Sequence, residues 1–279
     1  MKEHRVVCGL CPHHCELTEG QTGLCAARTN VGGKIACTNY GKLTSIALDP
    51  IEKKPLCHFH PGSLILSVGS YGCNLLCPFC QNHEISRAKA GELRVEHVPP
   101  EALAQLAEDT RTRYGNIGVA FTYNEPLVSY EYLIDCAKLL HEKNLAVVLV
   151  TNGQICSAPL EKLLPHVNAM NIDLKGFTQA FYDWIGSDLE TTKTAIQRAF
   201  EANVHVEVTT LAIPGRNDNE KEMDVEAHWL ASISPEIPLH LSRYFPRYHC
   251  DIPMTPVEQL QRLQSVAQKY LHHVHLGNV

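Results

Sequence analysis

Apolar positions along this chain fall into two alternating rhythms. Short, nearly unbroken apolar runs occur at Leu64–Val68, Ile117–Phe121, Leu145–Val150, Ala169–Leu174, Val204–Leu211 and Leu239–Ser242. Runs of this length predict β-strands covered on both faces. Between them the apolar residues space out to a helical period. Leu103, Leu106 and Ala107 mark a helix over 101–113, and Tyr130, Leu133, Ile134, Ala137 and Leu140 one that ends near Asn144. Further helices are expected over 158–165, 191–202, 220–232 and 256–272. Upstream, Lys34–Cys37 and Leu43–Leu48 flank the turn Asn39-Tyr40-Gly41-Lys42 and predict a β-hairpin.

Six strands with helices between them imply a parallel sheet of βα units, an α/β fold. Six units fall short of a closed eight-unit barrel, and a doubly wound sheet is the competing architecture. The 279 residues suffice for one large domain and a small appendage. We expect a Cys-rich N-terminal region over 1–62 and a core domain over 63–279. A net charge of −6 argues against a dedicated nucleic-acid surface. No stretch of about 20 apolar residues is present to span a membrane. Met1–Arg5 is charged and leads into no apolar run, so no secretory signal is expected, and the location implied is cytoplasmic.

The twelve cysteines change this picture. Cys73, Cys77 and Cys80 stand at C-x3-C-x2-C spacing just beyond the first strand. Three thiolates within eight residues cannot all turn into an apolar core, and iron–sulfur clusters are held at such spacings. Three ligands leave one iron of a four-iron cluster open, as a reaction centre requires. A second group, Cys8, Cys11, Cys15 and Cys25, follows C-x2-C-x3-C-x9-C. It fits a zinc knuckle or a second iron–sulfur cluster, with a redox dithiol as a further reading. Cys37, Cys57 and Cys136 read as inert or core thiols.

Functional residues of parallel βα folds collect at the carboxyl ends of strands. Here those ends carry the cysteine loop, Thr122-Tyr123-Asn124-Glu125-Pro126, Thr151-Asn152-Gly153, Asp173-Leu174-Lys175-Gly176, Pro214–Asp218 and Arg243–Tyr248. Together they predict a site at one rim.

The signature C-x3-C-x-aromatic-C, with Phe79 in the aromatic slot, resembles that of the radical S-adenosylmethionine (SAM) superfamily. More of the chain is similar to the radical SAM enzymes of the AmmeMemoRadiSam system, relatives of pyruvate formate-lyase activating enzymes. The likeness rests on Cys8-Gly9-Leu10-Cys11-Pro12, Asp49–Pro55, Cys73–Cys80, Thr122–Pro126 and Arg243–Tyr248. It implies a partial (β/α)6 barrel and a [4Fe–4S] cluster on Cys73, Cys77 and Cys80. It also implies reductive cleavage of SAM to a 5′-deoxyadenosyl radical that abstracts hydrogen from a protein or small molecule. Glycyl-radical-enzyme activation is the alternative reaction, and a non-catalytic metal-binding module the alternative class.

By the same resemblance Phe79 would lie near adenine and Thr151 and Asn152 beside the sugar. Asp173 and Lys175 would serve the ribose and the methionine carboxylate. Asn124 and Glu125 would receive the ammonium, in place of the family's Gly-Gly-Glu. Arg216, His240, Arg243, Tyr244 and Arg247 are expected to face substrate. A flavodoxin- or ferredoxin-like electron donor is implied, as are Memo-like and AMMECR-like partner proteins, and no membrane or nucleic acid.

Overall fold

The computed structural model describes residues 5–279; the expectation about the extreme N-terminus concerns residues outside that range, apart from Arg5. The first described elements are short. β1 (Val6–Val7) pairs antiparallel with β2 (Glu16–Leu17), and β3 (Arg28–Val31) with β4 (Lys34–Cys37). Gly32 and Gly33, both at positive φ, make the two-residue turn between β3 and β4. β5 (Lys42–Leu43) pairs with β8 (Glu96–His97).

The main sheet has eight strands. They are β6 (Ser45–Pro50), β7 (Leu64–Gly69), β9 (Asn116–Phe121), β10 (Ala146–Thr151), β11 (Ala169–Asp173), β12 (His205–Ala212), β13 (Leu239–Arg243) and β14 (Val274–Gly277). Their order is β14-β13-β12-β11-β10-β9-β7-β6. Strands β7 to β14 of this sheet run parallel, while β6 joins β7 antiparallel. The two end strands do not pair, so the sheet is open, an α/β fold with a mostly parallel centre.

All six expected parallel strands are present, and the sheet extends beyond them at both edges. The hairpin expected between 34–37 and 43–48 does not form. Lys34–Cys37 takes the upstream Arg28–Val31 as partner, and Ser45–Pro50 takes Leu64–Gly69. The tight Gly32-Gly33 turn outcompetes the longer Asn39–Lys42 loop. Because β6 lies within the main sheet, the described part of that N-terminal stretch, 5–62, is joined to the core sheet through it. Its last third is spliced into the core.

Helices α2 (Pro100–Tyr114), α3 (Tyr130–Glu142), α4 (Ser157–Leu163), α6 (Leu189–Glu201), α7 (Glu220–Ile233) and α8 (Val257–Ala267) connect the strands. The short α1 (His83–Ser86) and α5 (Gln179–Trp184), the latter not expected from the pattern, sit at the rim. Asp188 and Asn219 cap α6 and α7 by accepting from Thr191 N and Glu222 N. The helix expected to reach His272 stops at Ala267, and the chain returns as β14.

Strand alternation sorts the core into two faces. Leu66, Val68, Val147, Leu149, Met170 and Ile172 belong to one large cluster with residues from the helices. The intervening Ile65, Ala120, Val148 and Ala169 pack with Ile51 and Leu56 on the other face. Segment 51–60 therefore caps that inner face near the strand starts. Above it the inner face turns polar. Asn171 donates to Pro55 O and accepts from Thr209. Buried Glu207 accepts from the N–H groups of Cys57 and His58 and bonds His205 and His240 at 2.9 and 2.6 Å. Those four contacts hold its carboxyl well below the usual range against the opposing effect of burial.

Candidate functional site

The cysteine loop is seated by its neighbours at the rim. Asn124, just past β9, accepts from Ser70 N at 2.9 Å and donates to the carbonyls of Tyr71 and Gly72. It thereby fixes the turn that launches Cys73. Leu75 N points at the Cys73 sulfur at 3.4 Å, and Asn152 Nδ2 at 3.8 Å. N–H groups aimed at sulfur stabilise a ligating thiolate.

Glu125 is buried beneath this loop. Its oxygens accept from Thr151 Oγ1 at 2.6 Å, Leu127 N at 3.0 Å and Asn152 N at 2.8 Å. Burial outweighs these bonds and pushes its carboxyl up to about 7. Asn124 and Glu125, expected to receive an ammonium group, have side chains bonded at the ends of β9 and β10, Asn124 to backbone and Glu125 to backbone and the Thr151 hydroxyl.

Across the rim, Lys175 Nζ lies 2.7 Å from Asp173 Oδ2. Burial opposes the lysine's charge, but Asp173 and the neighbouring Cys77 and Cys80 raise its pKa overall. Burial pushes the Cys77 thiol up to about 12, with Lys175 the chief opposing influence. The Cys73 thiol is also raised well above its ordinary value by burial, then by Glu125. Loading metal here must therefore displace protons, and Lys175 offsets the charge left behind.

Phe79 faces Trp184 and Phe181 of α5 at ring distances of 5.3 and 6.2 Å. Arg216 stacks its guanidinium over Trp184, 4.4 Å from the ring centre. Phe79, Trp184 and Arg216 thus form an aromatic wall beside the cysteines. Trp184 was missed because no periodic signal marked the six-residue α5.

The other expected substrate residues are more dispersed. His240 lies low on β13, against Glu207. Arg243 donates Nε to Thr255 O at 2.7 Å, and Tyr244 is buried with its hydroxyl on Cys250 O. Both brace the loop 244–255. That loop packs on the cysteine loop: His249 N donates to Pro78 O at 2.8 Å, and Tyr248 stacks on His83. Arg247 stays exposed within it.

The N-terminal cysteines gather on the far side of the same loop. Cys8, Cys11, Cys15 and Cys25 line one small, largely closed cavity together with Leu10, His13, Arg28 and Asn74. His13 and Asn74 stand beside the Cys11 thiol and Ala27 and Arg28 beside that of Cys25, where their polar groups oppose the upward push of burial. Cys37 and Cys136, expected as inert thiols, lie outside this cavity, half-buried and buried respectively.

Three sulfurs on one loop, N–H groups directed at that of Cys73 and a lysine beside Cys77 suit a cluster with three protein ligands. Comparison with known proteins agrees. The chain is 38% identical over its full length to the uncharacterized protein MJ0808 of Methanocaldococcus jannaschii, spanning 83% of that relative. It is 24% identical over 73% of its length to MJ1227 of the same organism, named provisionally as a glycyl-radical enzyme activating enzyme, and spans 85% of it.

Among solved structures it resembles a radical SAM methyltransferase from Sphaerobacter thermophilus. The TM-score is 0.59 and identity 18%, over 78% of this chain and 67% of that one. It also resembles a domain of pyruvate-formate lyase-activating enzyme from Bacteroides vulgatus. There the TM-score is 0.51 and identity 23%, over 58% of this chain and 99% of that one. Residues 67–227 match the Radical SAM superfamily, whose fold implies a [4Fe–4S] cluster and SAM. The chain belongs to the Radical SAM superfamily.

Proposed function

We propose that this chain is a radical SAM enzyme whose Cys73, Cys77 and Cys80 carry the [4Fe–4S] cluster, acting on a protein or small molecule. When bound, cluster and SAM together supply a 5′-deoxyadenosyl radical that takes hydrogen from substrate. The protein's part is to bind, orient and exclude water. Lys175, held by Asp173 at 2.7 Å, meets the carboxylate and ribose of SAM. Phe79 and Trp184 flank adenine, and Thr151 and Asn152 the sugar. Asn124 and Glu125 hold the backbone that presents these groups. Arg216, beside Trp184, is the substrate residue best placed; Arg243 and Tyr244 shape the covering loop, and His240 lies beneath it. The observation that carries this reading is the Asp173–Lys175 pair at the end of β11, beside Cys77 and Cys80.

The test is anaerobic. Protein reconstituted with iron and sulfide, then given SAM and reductant, is expected to release 5′-deoxyadenosine. A fully loaded cluster that yields none overturns the reading.

Glycyl-radical activation is the second reading, favoured by the similarity to MJ1227. A glycine-centred spin signal on a partner protein would select it. A one-electron donor of the flavodoxin or ferredoxin class belongs to either reading, in the cytoplasm. Memo-like and AMMECR-like proteins are the partners to add first. A non-catalytic metal-binding role would require loaded protein inert toward SAM.

A further inference from the structure

We infer that Cys8, Cys11, Cys15 and Cys25 hold a second, closed iron–sulfur cluster of the [4Fe–4S] class, built against the back of the SAM-cluster loop. The four residues come from a C-x2-C-x3-C run and a separate turn, yet the fold brings them to one cavity. Cys8 N donates to Cys15 O at 3.0 Å, which closes the first run, and β3 carries the second turn alongside.

The spacing of the thiols distinguishes a cluster from zinc. Zinc draws four sulfurs to about 2.3 Å from one point and leaves no room between them. Here the cysteines stand around a space of about 10 Å³, roughly that of one water. Among the described residues, no three Cys, His, Asp or Glu side chains are placed to grip a single metal ion. That holds equally for Cys73, Cys77 and Cys80, the set that the superfamily assigns to a four-iron cluster. Both cysteine sets therefore share the wider arrangement.

The surroundings suit an anionic cluster. Polar groups of His13 and Asn74 stand beside Cys11, and those of Ala27 and Arg28 beside Cys25. Arg28 lines the cavity, buried, with its Nε lacking any hydrogen-bond partner. Its Nη1 and Nη2 are held by Glu131, the latter at 2.8 Å. A buried N–H without a partner is costly unless something accepts from it. A cluster sulfur is such an acceptor. Leu10, Leu24 and Val128 supply the apolar remainder of the lining.

Four protein ligands leave no iron open, so this centre cannot bind SAM. It abuts the one that does. Asn74, the residue after Cys73, lines the N-terminal cavity and accepts from His13 through its carbonyl at 2.7 Å.

The experiment uses the full chain with Cys73, Cys77 and Cys80 all changed to Ala, reconstituted anaerobically beside the wild type. We expect about four irons per chain in the triple variant and about eight in the wild type. The variant's reduced spin signal should not change when SAM is added. Adding Cys8→Ala and Cys11→Ala should then remove the remaining iron. A folded triple variant without iron, or one holding zinc instead, overturns the inference. Should the triple variant fail to fold, the wild-type count decides: about eight irons supports the second cluster and about four refutes it.

Discussion

Asn152 donates through Nδ2 to Asn74 Oδ1 at 2.9 Å, and the same amide reaches the Cys73 sulfur at 3.8 Å. Asn74 in turn donates to Gln154 O at 2.8 Å. One asparagine thus ties the cysteine loop to the end of β10. Asn74→Ala leaves the Asn152 amide and the Gln154 carbonyl without this partner in a buried setting. Each such loss costs about 1–3 kcal/mol. Urea titration should show the variant less stable by about 3 kcal/mol. A difference below about 0.5 kcal/mol would mean that water replaces the amide.

Gly72 sits at φ +93°, and a Cβ there would lie 2.4 Å from the Cys25 carbonyl oxygen. Backbone on the far side cannot give way as a flexible side chain would. Gly72→Ala should therefore cost about 2–4 kcal/mol and reduce iron retention. Gly9, where an added methyl carbon would meet nothing within 4 Å, provides the matched control. Gly9→Ala should stay within about 0.5 kcal/mol of wild type in the same unfolding titration.

Lys175→Met should leave the cluster in place but weaken SAM binding at least tenfold, about 1.4 kcal/mol. Calorimetry on anaerobically loaded protein measures the affinity, and iron analysis the loading. Lys175→Arg should recover only part of the loss, because a planar fork does not replace a compact ammonium. Unchanged affinity in Lys175→Met would remove the lysine from the SAM site.

Glu226 on α7 is buried and accepts from Thr210 Oγ1 at 2.5 Å. Burial is the main cause that pushes its carboxyl from 4.5 up to about 8. The folded state therefore holds a proton that the unfolded state releases. The resulting stability is complete below pH 4.5 and is lost as pH rises to about 8. Glu226→Gln carries no such proton, so its stability relative to wild type should grow between pH 5 and pH 8. Glu125, raised to about 7, contributes a decline of the same sign that this variant keeps. Denaturant midpoints that track in parallel across that range would contradict the assignment.

The parallel strands were legible because runs such as Ala146–Thr151 are apolar on both sides. Val274-His275-Leu276-Gly277 was not, since one of its faces carries a histidine and it is only four residues long. Tyr270 and Leu271 extended the apparent helix period past its true end at Ala267. The β3–β4 pairing was hidden for a related reason: Arg28-Thr29-Asn30-Val31 has no apolar alternation, and only the Gly32-Gly33 turn signalled it. At the site, spacing revealed the cysteines and strand ends revealed Asp173 and Lys175. It could not reveal Asn74, whose importance comes from contacts with residues 13, 152 and 154. Nor could it show that Asn124 bonds the backbone of 70–72 and Glu125 the Thr151 hydroxyl and the N–H groups of Leu127 and Asn152, which depends on how those turns meet.

The contacts of the N-terminal cysteines also bear on the order in which the molecule can be made. Cys25 packs on Gly72, His13 bonds Asn74, and Leu10 O accepts from Cys156 N at 2.9 Å. The cysteine segment therefore finds part of its docking surface at residues 72–74 and the remainder only at residue 156, past the midpoint of the 279 residues. Domains generally fold as synthesis proceeds. Here the lining of the thiol cavity is complete only once Val128 is in place, so its closure waits on residues about a hundred positions downstream of Cys25.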